Sequence, residues 1–137
     1  MSKPADNWEA IGLSGALLKN YAENQKEFVP LLTFLLEEAM PDLTVVERKS
    51  LSLFSSKKRI VSITVTLEDN VYVLVDGGDR CPLKARRIKI VKGITLRTDE
   101  IDVEQWLSEV GGEINNRAEK SEKALAALRN FLEIKSL

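Results

Sequence analysis

A chain of 137 residues, 44% apolar and 30% charged, has the make-up of an ordinary globular protein, which excludes wholesale disorder and allows a core without a disulfide or metal staple. It contains no histidine and one cysteine, Cys81, which removes the usual general base, the Ser-His and Cys-His nucleophile pairs, an intrachain disulfide and a thiolate zinc site. The net charge of −1 conceals a segregation: residues 1–50 carry −3, residues 51–98 carry +6 and residues 99–137 carry −4.

Met1–Asp6 has no apolar segment behind Lys3, so no signal peptide is read. The most apolar run, Phe28–Leu36, falls far short of the ~20 residues that span a bilayer. The expectation is a cytoplasmic protein with no membrane partner.

Asp6-Asn-Trp-Glu9 has the form of a capping box, and it predicts a helix over about 7–22. Trp8, Ile11, Gly15, Leu18 and Ala22 fall along one face of it. Pro30 is accepted at a first helical position and disfavoured inside a helix. A second helix is therefore expected over about 30–40, ending before Pro41 and wrapped by Leu31, Leu32, Phe34, Leu35 and Leu36.

Residues 44–97 read as strands. The first is expected over about 46–54, with Leu51 and Leu53 on one face. The second covers about 60–68, where Val61, Ile63, Val65 and Leu67 alternate with Ser62, Thr64 and Thr66. Asp69-Asn70 is a turn candidate, and Val71–Val75 supplies a third, more buried strand over about 71–76. Asp76-Gly-Gly-Asp79 is a strong turn signal. A fourth strand over about 84–97 places Ile88, Ile90, Ile94 and Leu96 on one face and Arg87, Lys89, Thr95 and Arg97 on the other, with a bulge or bend at Lys92-Gly93.

Asp102-Val-Glu-Gln105 is a second capping box. Val103, Trp106, Leu107, Val110, Ile114, Ala118, Ser121, Leu125, Leu128 and Leu132 follow at spacings of three and four without a phase shift. One helix over about 103–132 is expected, weakened at Gly111-Gly112 and about 45 Å long at 1.5 Å per residue. The whole reads as a single α+β domain, 1–137: a four-stranded antiparallel β-meander flanked by two N-terminal helices and one long C-terminal helix.

No phosphate-binding glycine motif is present, and no family is recognised from the sequence. Asp76 and Asp79 lack calcium-loop spacing. Cys81 beside Arg80 has no partner base. Glu37 and Glu38 fall at a helix end, and Asp99, Glu100 and Asp102 at a helix start, where acidic side chains favour the dipole; an enzyme built on these carboxylates is the third reading. The first is a non-enzymatic interaction or regulatory domain with no catalytic residue, metal or cofactor. The second is a polyanion-binding module using Lys57, Lys58, Arg59, Arg87, Lys89 and Arg97, with hydroxyls from Ser62, Thr64 and Thr66. Aromatics for stacking are missing from that face, so a protein partner is preferred to nucleic acid. The expected far end of the long helix carries Ala124, Leu125, Leu128, Phe131 and Leu132 on one face. A helix longer than a compact domain of this size would leave them for a second copy, and a homodimer is expected there.

Overall fold

The computed structural model describes residues 15–23, 25–54, 56–78 and 82–136, with the backbone alone of residues 25, 26 and 132–136. It is α+β, with one antiparallel sheet. The chain divides into two compact units, Met1–Pro41 with Leu107–Leu137, and Asp42–Trp106. The described part of the first is helical; the second holds the sheet.

In the helical unit, residues 15–23 form α1, reaching one residue past the end of the expected 7–22 helix; residues 7–14 and the Asp6 capping box lie outside the described residues. Next comes α2, Gln25–Ala39. It begins five residues ahead of the expected 30–40 helix, so Pro30 lies inside it. An interior proline costs a helix about 3 kcal/mol. Phe28 and Val29, in the turn before it, are 1% and 4% exposed, and burying each such side chain contributes roughly 1.5–3 kcal/mol. Phe28 also packs against Tyr21 of α1, ring centroids 5.3 Å apart and planes tilted by 57°. Packing thus offsets the proline, and Pro30 itself faces outward.

The expected 103–132 helix is two helices, α3 (Val103–Ala118) and α4 (Glu122–Ser136). Asp102 is the N-cap of α3, its carbonyl accepting the first helical bond from the Trp106 amide at 3.0 Å. The break falls at Glu119–Ser121 rather than at the glycines. The Lys120 amide bonds the Arg117 carbonyl at 3.0 Å, a tightened last turn. The Ser121 hydroxyl then accepts from the Ala124 amide at 3.3 Å, and the Ser121 carbonyl from Leu125 at 3.0 Å, which makes Ser121 a new N-cap. Gly111 and Gly112 sit within α3. At 1.5 Å per residue α3 is about 24 Å long, so the 45 Å rod does not form. α4 packs on α2.

The sheet has five strands rather than four, in the order β1 (Thr44–Ser50), β2 (Lys58–Leu67), β3 (Asn70–Val75), β4 (Lys84–Val91) and β5 (Ile94–Ile101). Each strand pairs antiparallel with the next, the expected meander with one strand more. The extra strand comes from Lys92-Gly93. Both residues have positive φ, 52° and 81°, as a type I′ hairpin turn demands, so the expected fourth strand doubles back. The β2–β3 turn lies one residue earlier than expected, at Glu68-Asp69, with Asn70 opening β3. β1 ends at Ser50, leaving Leu51, Leu53 and Phe54 outside any strand.

Register assigns the faces. Ile63, Val65, Tyr72, Leu74 and Ala85 share one face and are buried. Trp106, in the first turn of α3, meets Tyr72 edge-on at 6.4 Å. Val71, Val73 and Ile88 share the other face with Thr64 and Thr66, and all five are exposed or half-buried.

Candidate functional site

β2 outruns its inner neighbour. β3 pairs with Ser62–Leu67, so Lys58–Ile60 pairs with Arg48–Ser50 alone. The result is a two-stranded ribbon projecting beyond the end of the sheet. A register shift between Glu47 and Arg48 marks where it leaves, and such a bulge bends its strand and increases the local twist. The root of the ribbon is fastened: Arg59 Nη2 donates to the Asp76 carbonyl at 2.6 Å and lies 3.7 Å from its carboxylate, whose Oδ1 also accepts from the Gly78 amide at 3.0 Å.

The neck of this ribbon is basic and its tip apolar. Residues 47–59 contain five basic side chains and one acidic, Glu47. Lys49 stands opposite Arg59 and Ser50 opposite Lys58. The Leu51 amide donates to the Lys57 carbonyl at 3.2 Å and closes the loop. Beyond that bond Leu51 is 60% exposed, Leu53 97% and Phe54 99%. A single exposed leucine is ordinary; three large exposed apolar side chains within four residues of one loop are not. Burying a leucine or phenylalanine contributes about 1.5–3 kcal/mol, and here that contribution is forgone within the fold.

The six basic residues expected to form one face do not come together. Lys57, Lys58 and Arg59 belong to the ribbon. Lys89 is opposite Asn70, which is opposite Leu67, and Lys58 and Leu67 are the two ends of a 10-residue strand, about 30 Å apart at ~3.3 Å per residue. Arg87, Lys89 and Arg97 do share a face, but it is the face of Val65 and Tyr72; Ser62, Thr64 and Thr66 are on the other. Arg87 and Arg97 both approach the Asp99 carboxylate, at 3.9 Å and 2.8 Å, so two of the three cations on that face share one counter-charge.

Compared with known protein families, curated proteins and solved structures, the chain matches none.

Of the residues expected to meet a second copy, Ala124, Leu128 and Phe131 are buried within the single chain and Leu125 is half-buried; the side chain of Leu132 is outside the described residues. Glu37 and Glu38 lie exposed on the last turns of α2. Asp99 and Glu100 belong to β5 rather than to a helix start, and only Asp102 caps a helix. Asp79, Arg80 and Cys81 lie outside the described residues. Among the described residues no group of three metal-ligating side chains occurs, and no helix is long and apolar enough to cross a membrane.

Sequence reasoning passed over Arg48, Lys49, Leu51, Leu53 and Phe54. The signal was present as Leu51-Ser-Leu-Phe54 set between Arg48-Lys49 and Lys57-Lys58-Arg59: an apolar cluster inside two basic runs, in a segment that alternation alone assigns to a strand.

Proposed function

We propose that this chain is a non-enzymatic interaction domain of the cytoplasm whose contact surface is the β1–β2 hairpin. One observation carries the reading: Leu51, Leu53 and Phe54 stand exposed at the end of a ribbon with a basic neck. The missing histidine supports the non-enzymatic half of the proposal, since it removes the side chain most often used for proton transfer near neutral pH. Polyanion binding is the second reading, favoured by the five basic side chains that residues 47–59 carry along the neck.

The double substitution Leu53→Asp with Phe54→Asp tests the first reading. Both side chains are almost fully exposed, so the stability is expected to change by no more than about 0.5 kcal/mol, the range typical of surface changes. Retention of whatever co-purifies with the wild-type chain from its native cell is expected to be lost. An unchanged set of co-purifying molecules overturns the reading. Salt-dependent retention on heparin that survives this substitution and disappears in Lys57→Glu with Lys58→Glu favours the polyanion reading instead.

A further inference from the structure

We infer that the occupant of the β1–β2 hairpin is an anionic lipid surface, with Leu51, Leu53 and Phe54 entering the boundary between headgroups and acyl chains and Lys49, Lys57 and Lys58 meeting the lipid phosphates. The inference rests on the hairpin being the contact surface and names what it contacts.

Three features select a lipid surface. The first is shape. The apolar side chains are at the convex end of a two-stranded ribbon, so a protein partner would have to supply a matching cavity, whereas a bilayer interface accepts any projecting apolar tip. The second is depth. Lys57 closes the loop and Lys58 is paired with Ser50, so the basic side chains start within roughly 10 Å behind Phe54 at ~3.3 Å per residue. Apolar groups seated at a membrane surface penetrate about 5–10 Å, which sets the lysines at the level of the phosphates. The third is composition. Two of the three tip residues are leucines, which fit an acyl environment and offer nothing for a nucleic-acid base to stack on. The charge of the neck complements the negative potential of a leaflet rich in anionic lipid. The expectation of no membrane partner rested on the lack of a spanning helix, which concerns crossing a bilayer and not resting on one.

The test is co-sedimentation of the full chain with vesicles of phosphatidylcholine alone and with about 30 mol% phosphatidylserine, at low and high salt. Binding is expected to the phosphatidylserine vesicles and to weaken with salt. Leu53→Ser with Phe54→Ser, and separately Lys57→Glu with Lys58→Glu, are each expected to lower the partition coefficient by about tenfold or more, with the thermal transition retained. Ile94→Ser with Leu96→Ser, an apolar pair also exposed, on β5, is the control and is expected to leave vesicle binding unchanged. Absence of binding at low salt overturns the proposal, as does binding that the tip substitution leaves intact or that the β5 pair abolishes. Absence of vesicle binding, combined with loss of a native partner in Leu53→Asp with Phe54→Asp, overturns the lipid occupant and leaves the hairpin as a protein-contacting surface. Indifference to the hairpin substitutions in both assays overturns both.

Discussion

Two glycines show how little a residue's name says without its backbone angle. Gly93 has φ of 81° in the β4–β5 turn, where a Cβ is disfavoured by roughly 1–2 kcal/mol. Gly112 is inside α3, and a Cβ built on it meets nothing within 4 Å. The same change therefore has opposite signs at the two positions. Gly112→Ala is expected to stabilise by about 0.4–1 kcal/mol, because the unfolded chain loses freedom and the folded one loses nothing. Gly93→Ala is expected to destabilise by at least 1 kcal/mol. Urea midpoints at constant m-value measure both, and a loss of stability in Gly112→Ala would show that α3 needs the glycine for close packing.

At the scale of elements, the C-terminal region depends on a serine. Apolar residues recur at helical spacing from Val103 to Leu132, yet Ser121 ends the run as one rod by capping a new helix. Ser121→Ala removes the acceptor for the Ala124 amide and is expected to cost about 1 kcal/mol, while Ser121→Asp, which keeps an acceptor and adds a charge favourable at a helix start, restores most of it. Thermal melts of the two variants measure this, and equal stability of Ser121→Ala and wild type would place the break elsewhere. The sheet edges behave differently. β1 carries Glu47, Arg48 and Lys49 in the strand, charges that discourage edge-to-edge pairing. Val45 is the exposed apolar residue within the strand, while Leu51, Leu53 and Phe54 follow in the loop.

At the scale of the whole molecule, the stripe of α4 separates a core role from an interface role. Leu128 and Phe131 are each 2% exposed in the single chain, and α4 packs on α2. Self-association through this stripe would require α4 to leave that packing. Leu128→Ala is expected to cost about 2–5 kcal/mol, as for other large core truncations, by the same amount at any protein concentration. A melting temperature that rises with concentration in the wild type and loses that dependence in Leu128→Ala would instead assign Leu128 to a subunit interface, and light scattering on the same samples reads the mass directly.

The class of the protein was legible in its residues. Alternation in Ile60–Leu67 and Val71–Val75 marks strands, close spacing in sequence makes them an antiparallel meander, and Asp102 sets the start of α3, because each of these depends on neighbours a few positions away. What needed the tertiary structure was the assignment of faces and the fate of apolar side chains. A two-residue turn pairs Val91 with Ile94, so Ile90 and Ile94, in phase along an unbroken strand, end on opposite faces. Pro30 looked like a helix start because local rules count its missing donor and not the burial of Phe28 beside it. Leu128 and Phe54 look alike in a sequence, both apolar and both near charges. One is inside because another helix reaches it; the other is outside because β3 stops short of the ribbon that carries it. Which neighbours arrive is a property of distant segments, and no local pattern records it.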